Sequence, residues 1–226
     1  MLFFITACSK EHAVIPIPPV FPADTTQPAK TYLALGDSYT IGASVSTQER
    51  FPMQTWAKLA LEGVKMSQPE IIATTGWTTG NLLSALAMNP PTKTYDVVSL
   101  LIGVNNQYQR RSQAEYKTEF TLLLNKAIGF AGGRKNSVFV LSIPDYSVTP
   151  FVQNSDTAAI SNEIDQFNDI NRQVSQELGV KYLDITSISR EGRTDPAMQA
   201  SDGLHPSGKQ YQRWSALLAP MIKTSL

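Results

Sequence analysis

Residues 31–39 read TYLALGDSY, an apolar run (Tyr32-Leu33-Ala34-Leu35) that breaks into Gly36-Asp37-Ser38. A run this short, bounded by turn residues, predicts a buried strand rather than a helix, which needs about ten residues or more. Four further runs share its length and character: Glu70-Ile71-Ile72-Ala73, Val97 to Ile102, Val138-Phe139-Val140-Leu141 and Lys181-Tyr182-Leu183-Asp184. Between them the period changes to that of helices. Ser112 with Glu115 three residues on resembles a capping box, and Tyr116, Phe120, Leu123, Leu124 and Ile128 follow on one helical face. Ile160, Ile164, Phe167, Ile170, Val174 and Leu178 make a second stripe that Gly179 stops, and Tyr211, Trp214, Leu218 and Met221 a third. These stripes are assigned to the core. Strands alternating with helices predict an α/β fold, a three-layer α/β/α sandwich around a five-stranded parallel sheet. Ligands of such open sheets bind beyond the carboxyl ends of the strands, so that is where chemistry is sought.

The chain has 226 residues, enough for one domain that buries about 70% of the surface its unfolded form exposes. Its 19 basic and 19 acidic residues cancel, which gives no footprint for nucleic acid and no polybasic membrane patch. A single cysteine, Cys8, excludes an intrachain disulfide and a cysteine-built zinc site. Of two histidines, His12 falls in the leader, so His205 is the one imidazole of the folded part. A multi-histidine metal site cannot be built from it, and neither metal nor cofactor is expected. The first eight residues, MLFFITAC, are a short apolar run ending in small residues. Ile5-Thr6-Ala7-Cys8 resembles the lipobox of bacterial lipoproteins, which implies a lipid on Cys8, export, and residence as a periplasmic or outer-membrane lipoprotein. The run departs from that pattern in its shortness and in having no Lys or Arg before it; a frayed apolar N-terminus is the alternative. Prolines at 16, 18, 19, 22 and 28 make residues 9–29 a semi-rigid extended spacer, and 30–226 the folded domain. No other stretch approaches the roughly 20 apolar residues of a spanning helix, so membrane contact is expected through Cys8 alone.

Each strand leads into an informative segment. Gly36-Asp37-Ser38-Tyr39 follows the first, Thr75-Gly76-Trp77-Thr78 the second and Gly103-Val104-Asn105-Asn106 the third, while Asp202-Gly203-Leu204-His205-Pro206 lies beyond the fifth. Singly these are ordinary: Ser38 can cap a helix, Asp202 can form a turn, and Pro206 can open the last helix. Together and in this order they resemble the blocks of the GDSL/SGNH hydrolases, a family of serine esterases and lipases, over essentially all of the chain from about residue 31. The resemblance implies the flavodoxin-like SGNH fold, Ser38 as nucleophile, and Asp202 and His205 as its acid and base. It also implies an oxyanion hole made by Ser38, Gly76 and Asn105. Asn106 stands where family members commonly have aspartate. The Gly-x-Ser-x-Gly elbow of the α/β-hydrolases is absent, which points away from that fold.

The chemistry needs these types. A serine hydroxyl is a weak nucleophile until an adjacent base takes its proton, and an imidazole does so near neutral pH once a carboxylate fixes its tautomer. The expected activity is hydrolysis of a carboxylic ester through an acyl-enzyme, with a short acyl (acetyl) group on a carbohydrate as substrate. A lysophospholipase or thioesterase-type acyl hydrolase is the alternative within enzymes, and a non-catalytic glycan-binding lipoprotein the alternative outside them. Trp77 is either a platform for a sugar ring or a lid over the core; Asn106 and Tyr108 are further candidates for substrate contact. Arg110, Arg111, Asp145 and Tyr146 follow the third and fourth strands, where they either shape the pocket or face solvent.

Overall fold

The computed structural model describes residues 28–226; the expectations for Cys8 and for the spacer up to residue 27 lie outside the described residues. Strands form where the short runs lie: β1 Tyr32–Gly36, β2 Glu70–Ala73, β3 Val97–Leu101, β4 Val138–Leu141 and β5 Lys181–Leu183. They build one parallel sheet in the order β2-β1-β3-β4-β5. β1, β3 and β4 are buried along their whole length, and their sequences are apolar without alternation because both faces are covered. The outer strands β2 and β5 admit Glu70 and Lys181, as edges do.

The helices are α1 Ser38–Ile41, α2 Phe51–Leu61, α3 Thr79–Met88, α4 Val104–Tyr108, α5 Gln113–Phe130, α6 Thr157–Leu178, α7 Thr186–Arg190 and α8 Gly208–Lys223. Handedness distributes them. The β1-to-β2 crossover runs one way along the sheet and the later ones run the other way, so right-handed connections put α2 on one face and α3, α5 and α6 on the opposite one. Accordingly α2 packs on α8, and α5 lies against both α3 and α6. Aromatic rings fill both seams: Phe51 meets Tyr211 and Trp214 in the first, Tyr116 meets Phe120 and Phe167 in the second. All six are buried. Ile128, Ile160, Ile170, Leu178 and Met221, at the stripe margins, are partly buried.

The ends of the helices follow the sequence with two adjustments. Gly179 stops α6 in the left-handed conformation, φ 71°. At α5 the Ser112 hydroxyl accepts from the Glu115 N–H at 3.1 Å, but the box closes on that side alone, because the Glu115 carboxylate turns to Arg111 at 3.5 Å. The last helix opens at Gly208 with Ser207 as its cap, so Pro206 and His205 stand before it rather than in it.

The sheet order creates the crevice. β1 has β2 on one side and β3 on the other, so the segments leaving β1 and β3 diverge at their carboxyl ends. Gly36 closes that end tightly: a Cβ there would lie 2.3 Å from the Leu101 carbonyl oxygen and 2.1 Å from Thr40 Oγ1. Among the described residues no helix is long and apolar enough to cross a membrane.

Candidate active site

Ser38 is the first residue of α1, and the capping work falls to its neighbour. Asp37 is the cap, its carboxylate accepting the Tyr39 N–H at 3.0 Å. The Ser38 hydroxyl has no partner among the described residues, so nothing in the fold consumes it. Its backbone N–H is among those that a helix start leaves unpaired. Ser38 lines a cavity of about 150 Å³ together with His205, Gly76 and Asn105. Four residues from four separate segments thus meet in one space.

His205 is held from two sides. Its Nδ1 lies 2.6 Å from Asp202 Oδ2, which leaves Nε2 as the nitrogen available to a serine proton. The Tyr39 ring stands edge-on to the imidazole with centroids 5.7 Å apart. The loop itself is pinned by Ala200 N–H to His205 O at 2.8 Å and Ser207 N–H to Met198 O at 2.9 Å. In unliganded enzymes the bond from nucleophile to base is often long and tightens when substrate binds.

The Asp202 carboxylate is fully engaged. Oδ1 accepts the N–H groups of Leu204 and His205, both at 3.0 Å, and Oδ2 accepts the Ser44 hydroxyl at 2.6 Å besides the imidazole. That fills the roughly four lone-pair positions a carboxylate offers. Burial works to raise its pKa, but the donors from Ser44, His205 and the two N–H groups outweigh it and hold the group well below the ordinary range. Its ionised form is therefore favoured by the fold, and that contribution to stability is lost only in strong acid. Ser44 was not among the sequence candidates. It sits at φ 65°, in the left-handed region that L-residues rarely adopt, and nothing in the local sequence marks it.

Gly76 and Asn105 are brought to the cavity by a turn and a helix start. Thr74 to Trp77 form a turn closed by Trp77 N–H to Thr74 O at 3.2 Å, with Gly76 third at φ 83°. A type II turn requires that conformation at its third position, and the bond that closes it spends the Trp77 N–H rather than that of Gly76. Asn105 Nδ2 donates one hydrogen to the Trp77 carbonyl at 3.0 Å, which ties α4 to the turn and leaves its second hydrogen for another acceptor.

The remaining candidates divide. Asn106 is wholly buried; its Oδ1 accepts the Thr79 N–H at 3.0 Å and its Nδ2 donates to Thr79 Oγ1 at 2.7 Å, while that hydroxyl donates to Glu119. An amide can both accept and donate there, which an ionised aspartate cannot. Asn106 is therefore bound up in joining α4 to α3 and is not in contact with the cavity. Trp77 is partly buried against the core, and its carbonyl accepts from Asn105. Tyr108 and Tyr146 do line the cavity, with Phe151, a residue not anticipated. Phe151 is placed by its own backbone, whose N–H donates to Gly203 O at 3.1 Å within the Asp202–His205 loop. Asp145 is structural: buried, it accepts from Ser161, Ser147 and Arg190. Arg111 pairs with Glu115 and lies away from the cavity. Among the described residues no three His, Cys, Asp or Glu side chains converge as metal ligands.

Comparison with known proteins gives the family and the fold. The model of the GDSL-like lipase/acylhydrolase family matches residues 34–213. A comparison with curated protein sequences found no match. Among solved structures, TesA is similar at 19% identity and TM-score 0.66, covering 87% of this chain and 100% of its own. An acetylxylan esterase from Geobacillus stearothermophilus gives 17% identity and TM-score 0.64 over 85% of this chain and 94% of its own. A lipolytic G-D-S-L family protein from Veillonella parvula gives 17% and 0.63 over 88% and 100%. At these identities the likeness is one of fold.

Beneath Ser38 the Asp37 carboxyl is completely buried with Oδ2 unpartnered, and burial pushes its pKa up to about 7 against the N–H donors that lower it. Between about pH 4 and 7 the folded chain thus keeps a proton that the unfolded chain releases, so this group's contribution to stability declines as pH rises through that window. Asp37→Asn removes the effect. Urea midpoints at pH 5 and 8 should show the parent losing up to about 2.5 kcal/mol more than the variant on going to pH 8; equal losses would contradict the burial argument.

Proposed function

Because the chain belongs to the GDSL-like lipase/acylhydrolase family, we propose that it hydrolyses a short acyl ester, such as acetate, borne by a carbohydrate, with Ser38 as nucleophile. The observation that carries this reading is the 2.6 Å contact of His205 Nδ1 with a saturated Asp202 carboxylate, at a cavity that Ser38 shares. His205 Nε2 takes the Ser38 proton as Oγ attacks the ester carbonyl. Negative charge gathers on the carbonyl oxygen, where the N–H groups of Ser38 and Gly76 and the free amide hydrogen of Asn105 receive it. His205 then protonates the departing alcohol, and a water molecule repeats the sequence on the acyl-enzyme to release acid. The small cavity supports a short acyl group, and the fold shared with an acetylxylan esterase supports a carbohydrate alcohol.

A second element of the proposal concerns location. The Ile5-Thr6-Ala7-Cys8 segment supports export with a lipid at Cys8, and residues 9–29 would hold the domain away from the membrane.

With 4-nitrophenyl acetate, Ser38→Ala should lose on the order of 10⁴-fold or more in kcat, and Asn105→Ala about 10²–10³. A parent no faster than Ser38→Ala would defeat the esterase reading and favour a glycan-binding role. Across 4-nitrophenyl esters, kcat/KM should fall beyond about four acyl carbons for want of cavity; a rise toward long chains would favour the lysophospholipase-type alternative. Ser44→Gly removes the hydroxyl on Asp202 while relieving its left-handed backbone, so kcat should drop about 3- to 10-fold with KM and the unfolding midpoint near the parent's. An unchanged kcat would deny Ser44 a positioning role. For location, metabolic labelling of the full chain with palmitate in a bacterial host should mark the parent and not Cys8→Ser; equal labelling, or none in the parent, would count against the anchor.

A further inference from the structure

Beside the cavity that holds Ser38 lies a second one of about 280 Å³, near the lower end of small-ligand sites. Tyr108 and Tyr146 line both, so their rings form the partition between the two spaces. The partition is braced: Tyr146 OH donates to Gln107 Oε1 at 2.8 Å, and Gln107 Nε2 donates to Glu163 Oε2 at 2.7 Å. Asp156, the cap of α6, and Glu163 about two turns along the same helix give the second cavity two carboxylates. Arg110, just past α4, gives it a guanidinium.

Arg110 carries the strongest signal. It follows the cap of α4 in the left-handed conformation, φ 58°, where its N–H donates to Gln107 O at 2.9 Å and the next N–H, that of Arg111, donates to Asn106 O at 2.8 Å. The backbone is thus held by the helix end, while the guanidinium has no hydrogen bond or ion pair among the described residues. The charge balance then selects the ligand. Two carboxylates against one guanidinium disfavour a phosphate or carboxylate group, and three charged side chains would be costly to desolvate beneath an acyl chain. A neutral ring rich in hydroxyls satisfies all of them: it donates to Asp156 and Glu163, accepts from Arg110, and lays a C–H face on the half-exposed Tyr108 ring.

We propose that this second cavity is a subsite for a neutral glycosyl residue on the alcohol side of the ester, so that the substrate spans the Tyr108–Tyr146 partition with its acyl group at Ser38. The assignment rests on the esterase reading for its register but not for the binding itself, and the test separates the two. Arg110→Asn suits the backbone, since asparagine accepts the left-handed conformation, and Ala159→Trp fills the cavity from an exposed position on α6. Each variant of the full chain is assayed on mono-O-acetyl xylobiose and on 4-nitrophenyl acetate, and free xylobiose is titrated into parent and Ala159→Trp by NMR. The ratio of kcat/KM for the sugar ester over the small ester should fall about tenfold or more in both variants, as loss of a charge-assisted hydrogen bond or of the space itself would cause. Xylobiose should bind the parent and not Ala159→Trp. An unchanged ratio in both variants, or no xylobiose binding by the parent, overturns the subsite. Xylobiose binding abolished by Ala159→Trp in a chain that cleaves neither ester would instead uphold the subsite and defeat the esterase reading.

Discussion

Parallel strands cannot be joined by tight turns, so each connection must cross the sheet and return to the same end. In this chain that constraint places all five carboxyl termini along one edge, and the reversal of direction around β1 opens a crevice there. Everything the site contains comes from segments that leave that edge: Ser38 after β1, Gly76 after β2, Asn105 after β3, Tyr146 and Phe151 after β4, and the Asp202–His205 loop beyond β5. The crevice is narrow because β1 and β3 press together at their ends, where Gly36 leaves no room for a side chain.

Convergence alone would give a loose cluster, and hydrogen bonds between the loops make it a fixed one. Asn105 grips the Trp77 carbonyl, Asn106 grips Thr79, Gln107 grips Tyr146 and Glu163, and Phe151 grips Gly203. Three consecutive residues of α4 therefore clamp the segments on either side of it. The Asp202 carboxylate closes the set, because its four donors come from its own loop and from Ser44 near the end of α1. In the proposed reaction this matters more than any single contact, since the geometry of an acyl transfer site decides how much of the barrier it removes.

The fold was legible because buried parallel strands must be short and apolar, which is how residues 32–35, 97–101 and 138–141 read. Ser38, Gly76, Asn105, Asp202 and His205 were legible as types at strand ends, and the structure brings four of them to one cavity with the fifth bonded to His205. Other features are properties of tertiary contact and leave no local trace. Ser44 is an ordinary serine until the chain folds it against Asp202, 158 residues away. Phe151 is a lone aromatic until its N–H finds Gly203. Asn106, adjacent to a residue of the cavity, suggested substrate contact, yet it is wholly buried and bound up with Thr79. The half-formed capping box at Ser112 has the same origin: Arg111 competes for Glu115, and the sequence pattern alone does not decide the contest.

The central claim, that Ser38 is an activated nucleophile in a site organised by His205 and Asp202, is tested most directly by covalent capture. Incubation of the full chain with a fluorophosphonate, followed by intact-mass and peptide mass spectrometry, should yield one adduct per chain on the peptide containing Ser38, and His205→Ala should abolish it. A parent left unlabelled under conditions that modify other serine hydrolases, or labelled at another residue with Ser38 untouched, would contradict the account.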